Sequence, residues 1–121
     1  MHTLCLLDIK VHELDFDSMI QTGKPKYMPP TFMTAATAAS QLLEIEDRRK
    51  DGACDPTRPA IAMARVGAKD QVIVSGTLER LSQDDVDEVL GAPLHSLIVC
   101  GELHDLEKEF FDHFNIDKLK K

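Results

Sequence analysis

Apolar residues along the chain form short runs separated by glycine, proline and polar residues. Residues 3–11, TLCLLDIKV, are almost continuously apolar, as expected of a strand buried on both faces of a sheet. Further strands are predicted at residues 60–66, 71–75 and 94–100, each followed by a glycine. Because the chain opens inside a strand, we expect it to be a piece of a longer protein.

Helical periodicity follows Thr34, which is a suitable N-cap. The next sixteen residues, 35–50, end in the basic triplet RRK before Gly52, where the helix should stop. The apolar stripe of this predicted helix comprises Ala35, Ala38, Ala39, Leu42, Leu43 and Ile45. A second helix is predicted at residues 106–114, with Leu106, Phe110, Phe111 and Phe114 on one face.

The segment between the first strand and the first helix, residues 12–33, has no clean period and contains Gly23 and three prolines. A long loop is predicted there, either a lid facing a substrate or a simple excursion. Strands interleaved with helices predict an α/β fold with a mixed sheet of four or five strands and flanking helices. The length of 121 residues suits one domain, residues 1–121.

Composition narrows the function classes. The formal net charge of −7 argues against nucleic-acid binding, which depends on clustered basic residues. No apolar stretch reaches the roughly 20 residues that span a bilayer, and no signal-peptide pattern is seen, so a cytoplasmic protein is expected. The three cysteines are widely spaced and show no zinc-binding pattern, so free thiols and no metal site are expected.

Four segments form an ordered set: HTLCLLDIK at residues 2–10, ARVG at 64–67, PLHSLIV at 93–99 and GELH at 101–104. Together, in this order and spacing, they resemble diphthine synthase. The resemblance covers essentially the whole chain and matches the second of two α/β domains in a methyltransferase of the tetrapyrrole-methylase type. The glycine-rich first strand and loop of that family's first domain have no counterpart here.

The resemblance implies S-adenosylmethionine as methyl donor, S-adenosylhomocysteine as product, and a cleft in which backbone groups at strand ends hold the cofactor. The positions matching cofactor contacts are Leu7, Val66 and His95. From the residues alone, Leu7 is a core residue and His95 a structural histidine. Arg65 either contacts substrate or pairs with a nearby aspartate, and His104 either orients substrate or caps a helix. Methyl transfer from a sulfonium needs orientation above all, so no catalytic acid, base or nucleophile is expected.

The partner implied by the resemblance is translation elongation factor 2, methylated on its modified histidine during diphthamide biosynthesis, and the parent enzyme is expected to be a homodimer. The isolated chain should fold but lack activity, because half of the cleft is missing. Two alternatives stay open: a non-catalytic α/β binding domain, and a tetrapyrrole methylase of the same superfamily.

Overall fold

The computed structural model describes residues 1–7, 9–10, 16–23, 31–50 and 52–119. The helices are α1 Phe16–Thr22, α2 Ala35–Arg49, α3 Leu78–Leu81, α4 Asp84–Leu90, α5 Asp105–His113 and α6 Ile116–Leu119. The strands are β1 Thr3–Leu6, β2 Ile9–Lys10, β3 Thr31–Phe32, β4 Pro59–Ala64, β5 Val72–Thr77 and β6 His95–Val99. Of the predicted loop at 12–33, residues 12–15 and 24–30 lie outside the described part of the chain.

Four strands form the main sheet in the order β1-β6-β4-β5, and β2 and β3 form a separate two-stranded ladder. This confirms the predicted α/β fold with four strands and flanking helices. The orientation differs from the expected mixture, because all three ladders of the main sheet are antiparallel. The connection through α3 and α4 makes β6 run parallel to β5. Because β4 lies between these two strands, they are not neighbours in the sheet.

The first strand is also placed differently from the expectation. Among the described strands β1 lies at the edge of the main sheet and pairs with β6, and its Leu4 and Leu6 are 56% and 85% exposed. The apolar run at residues 3–11 was expected to be buried on both faces. Cys5 on one face of β1 packs against the core, whereas Leu4 and Leu6 on the other face are exposed.

Helix α2 begins as predicted. The Thr34 hydroxyl accepts a hydrogen bond from the backbone N–H of Thr37, and the alanines of the first two turns are buried. Because alanine side chains are short, α2 can lie close to β6, while α3 and α4 pack on β4, whose Ala60, Ala62 and Ala64 are each 0% exposed. The helix ends before Gly52, at Lys50, which adopts a left-handed conformation with φ 54° and bonds back to Glu46.

Candidate functional site

A cleft of about 570 Å³ lies where β1 ends, β4 turns into β5, and β6 begins. We call it the strand-end cleft. Its described lining comes from three segments of the chain: Leu6 and Leu7; Arg65, Val66 and Ala68; and Pro93, Leu94, His95 and Ser96. Four of the five residues singled out from the sequence, Leu7, Arg65, Val66 and His95, therefore meet at one place although they are far apart in the chain.

Leu7 and Val66 reach this cleft from two different strands, β1 and β4. Leu7 follows β1 directly and packs partly against the core. The β1–β6 ladder ends with Leu6 opposite Ser96, so its register brings Leu7 next to His95. Val66 lies in the turn after β4 and is 60% exposed. Gly67 beside it has φ 90°, a conformation that favours glycine, and its N–H is held by the Gln71 side chain.

The His95 ring is almost buried, at 9% exposure, and both of its nitrogens are hydrogen-bonded within the chain. Nδ1 accepts from the backbone N–H of Ala35 at 3.3 Å, and Nε2 lies 2.9 Å from the carbonyl oxygen of Gly91. This pairing fits the neutral ring with its proton on Nε2. The imidazole thus joins the start of α2 to the loop before β6, and any ligand contact at His95 would fall to its backbone.

Arg65 is held by groups on both sides of the cleft. One Nη donates to the carbonyl of Ala92, and the other donates to the carbonyl of Asp70 at 3.0 Å. Nε lies 2.9 Å from Oδ2 of Asp70, within ion-pair distance although without hydrogen-bond geometry. The alternative in which this arginine pairs with a nearby aspartate is therefore observed.

His104 does not lie at the strand-end cleft. It is the N-cap of α5, where its Nδ1 accepts from the N–H of Leu106 at 3.4 Å and its own N–H donates to Glu107. The second carboxylate oxygen of Glu107 is 2.6 Å from Nε2 of His2. The N–H of His104, followed by the His2 ring, lowers the pKa of the Glu107 carboxyl. The capping role foreseen for His104 is observed, and a substrate role stays a prediction.

A second cavity, the α5 groove, has about 390 Å³ between the sheet and α5. Apolar residues of both elements line it, among them Ile61, Met63 and Phe110. Burial raises the pKa of the Cys100 thiol at its edge, which disfavours a reactive thiolate there. Among the described residues no helix is long and apolar enough to cross a bilayer, and no group of three or more His, Cys, Asp or Glu residues is placed to hold a metal ion.

Sequence reasoning missed Leu6 and Leu94, which line the strand-end cleft and are 85% and 51% exposed. Both belong to apolar runs that were interpreted as buried strand. They could have been found from their position in the sequence, since each directly precedes a predicted site residue. Among the described lining residues, Arg65 and His95 carry the titratable side chains, and both are engaged within the chain. The cleft is thus suited to binding and orienting a ligand, not to proton transfer.

Comparison with known proteins gives a consistent result. Diphthine methyl ester synthase of Dictyostelium discoideum is 50% identical over 118 residues, which cover 98% of this chain and 41% of that protein. The enzyme of Emericella nidulans is 47% identical, with coverage of 98% and 40%, and that of Schizosaccharomyces pombe is 41% identical, with coverage of 100% and 43%. No protein-family model matches the chain.

Solved structures agree. A crystal structure from Entamoeba histolytica assigned as a diphthine synthase has a TM-score of 0.74 and 35% identity, covering 95% of this chain and 39% of that one. Another diphthine synthase has a TM-score of 0.62 at 25% identity, covering 94% and 34%. The chain spans about two fifths of the length of the curated relatives it matches. It is homologous to that segment of the diphthine methyl ester synthases and shares its fold.

Proposed function

We propose that this chain supplies one wall of the S-adenosylmethionine site of a diphthine methyl ester synthase. The observation that carries the proposal is the meeting of Leu7, Val66 and His95 at the strand-end cleft. These residues come from three different segments, and only the fold brings them together. The 41–50% identity to enzymes of that name adds independent support.

The lining of the cleft fits such a ligand. Exposed apolar side chains at Leu6, Val66 and Leu94 offer a surface for the adenine ring of the cofactor. Leu7 and His95 adjoin the last pair of the β1–β6 ladder, Leu6 opposite Ser96, and both line the cleft, which supports backbone contacts to a ligand at this end of the sheet. S-adenosylmethionine supplies a methyl group on a sulfonium centre that is already activated. The contribution of this wall is therefore to hold and orient the cofactor and to exclude water.

The substrate in this proposal is translation elongation factor 2, methylated on its modified histidine in diphthamide biosynthesis, and S-adenosylhomocysteine is released. The intact enzyme is proposed to be a cytoplasmic homodimer. Arg65, at the rim of the cleft, and His104, at the start of α5, are the proposed substrate contacts. In this proposal the chain provides one wall only, so by itself it is expected to be inactive.

A chimera tests the proposal. This chain replaces the matching segment of the Dictyostelium discoideum enzyme, to which it is 50% identical. Transfer of labelled methyl groups from S-adenosylmethionine to elongation factor 2 carrying the unmethylated precursor is then measured. We expect turnover by the chimera and none by the chain alone.

The controls separate the alternatives. A folded chimera without turnover would favour the non-catalytic α/β binding domain. Turnover of a tetrapyrrole in place of elongation factor 2 would favour the tetrapyrrole methylase. Turnover by the chain alone would overturn the assignment of a single wall.

A further inference from the structure

The loop that forms one bank of the strand-end cleft, residues 91–94, belongs to no helix or strand. Its first residue, Gly91, donates its N–H to the carbonyl of Asp87 in α4, and three further contacts come from Arg65 and His95. The His95 ring bonds the carbonyl of Gly91 at 2.9 Å, the Arg65 guanidinium donates to the carbonyl of Ala92, and the Arg65 backbone N–H donates to the carbonyl of Leu94 at 2.9 Å. Two of these contacts come from one residue, Arg65.

The opposite bank is the β4–β5 turn, and Arg65 fixes this bank too. Its second Nη donates to the carbonyl of Asp70 at 3.0 Å, and its Nε lies 2.9 Å from the Asp70 carboxylate. Its own carbonyl accepts from the N–H of Ala68 at 3.0 Å, which closes the turn. The backbone of Arg65 has φ 53°, a conformation that is unfavourable for a residue with a side chain and therefore needs support from its surroundings.

We propose that Arg65 is a positioning residue that sets the separation of the two banks of the strand-end cleft, and through it the affinity for S-adenosylmethionine and its product. This inference rests on the proposed function. The side chain is 17% exposed, and its two Nη atoms donate to the carbonyls of Ala92 and Asp70. It acts by holding Pro93 and Leu94 opposite Val66, and it does not need to touch the ligand.

The chemistry of arginine suits this task. A guanidinium is planar and carries five N–H donors in fixed directions, so it can bond acceptors on two segments at once. A lysine ammonium keeps the charge but is a point donor on a flexible stem. Arg65→Lys is therefore expected to lose the bridge between the banks while preserving the charge.

The chain contains a matched control in Arg80. Its side chain is 18% exposed and forms ion pairs with Asp85 and Asp117, at 3.0 Å each. It lies on α3 and does not line the strand-end cleft. Arg65→Ala and Arg80→Ala thus remove the same side chain at equal burial, and they differ in whether the cleft is affected.

The experiment is a titration of the chain with S-adenosylhomocysteine, followed by the amide shifts of Leu7, Val66 and His95. We expect Arg65→Ala and Arg65→Lys to raise Kd by about threefold to tenfold, as for loss of one or two hydrogen bonds, and Arg80→Ala to leave it unchanged. Asp70→Ala removes the carboxylate that pairs with Arg65, at a side chain that is 70% exposed, and leaves Arg65 itself in place. It should raise Kd by about twofold. Equal affinities in the Arg65 and Arg80 variants would overturn the proposal.

A measurement without ligand separates this inference from the proposed function. The amide proton of residue 65 is bonded to the carbonyl of Leu94, so its exchange with solvent reports whether the banks stay together. We expect faster exchange of this proton in Arg65→Lys and Asp70→Ala, but not in Arg80→Ala. Unchanged exchange in the first two variants refutes the positioning role even if the wild-type chain binds the ligand, whereas absent binding with faster exchange refutes only the proposed function.

Discussion

The two faces of the main sheet are built differently. The face toward α2, α3 and α4 carries the packed core: the alanines of β4 and of α2 belong to one cluster with Val74 and Leu97, all fully buried or nearly so. On the other face, α5 contains no buried residue, and Phe110 on it is 68% exposed. Short side chains let a helix approach the sheet closely, whereas large ones on the α5 side leave the α5 groove open.

The α2 side of the sheet carries the packed core and also anchors two residues of the strand-end cleft. Leu7 and His95 are attached to the α2 side, through the core and through the N–H of Ala35. The α5 side contributes His104 and Glu107, which serve the start of a helix. Two residues of the cleft are therefore anchored to the well-packed side of the sheet, where the backbone is held most firmly.

The largest difference in the free energy of unfolding is expected between substitutions at two adjacent residues of β6 that point to opposite faces of the sheet. Leu97 is 0% exposed on the α2 side, and Ile98 is half-buried in the α5 groove. We expect Leu97→Ala to lower the free energy of unfolding by about 3–4 kcal/mol and Ile98→Ala by about 1 kcal/mol. Urea unfolding of both variants measures this. Equal losses would show that the two faces are equally well packed.

A smaller loss is expected at His95. Replacing it by alanine leaves the N–H of Ala35 and the carbonyl of Gly91 without their partner, which should cost about 1–3 kcal/mol. The two ring hydrogen bonds fit the structural histidine that the residues alone indicated, and the cofactor contact at His95 stays a prediction. Thermal unfolding checks it, with Ser96→Ala, a half-buried neighbour, as the control. An unchanged melting temperature would contradict the structural role.

The α5 side should respond to acid. The pKa of Glu107 is lowered in the fold, so its stabilising effect is present above the ordinary carboxyl pKa and is lost as pH falls through the folded pKa. The difference in unfolding free energy between wild type and Glu107→Gln should therefore shrink between about pH 6 and about pH 3. Asp55, whose pKa the Thr57 hydroxyl and N–H lower, is common to both proteins and cancels. A pH-independent difference would show that the charge of Glu107 contributes nothing.

The sequence predicted features of the α2 side better than those of β1 and α5. The N-cap at Thr34 and the alanine stripe of α2 were predicted, because capping and helical period are local properties. The edge position of β1 and the exposure of Phe110 were not, because strand order and the covering of a face depend on residues distant in sequence.

The candidate site was predicted from the family resemblance and not from local sequence patterns. Leu7, Val66 and His95 carry no local sign of a ligand site, and only the resemblance pointed to them. That they share one cleft became visible in the fold. The bridging contacts of Arg65 join segments nearly thirty residues apart and could not be derived from spacing.

The central claim is that the strand-end cleft binds the cofactor. The most direct test titrates the chain with S-adenosylhomocysteine and compares Val66→Glu with Leu106→Glu, two exposed apolar residues at 60% and 63%, of which the first lines the cleft and the second lies on α5. We predict that amide shifts in the wild type centre on Leu7, Val66 and His95, that Val66→Glu weakens binding by about tenfold or more, and that Leu106→Glu leaves it unchanged. Shifts that centre on the α5 groove, or equal affinities of the two variants, would contradict the claim.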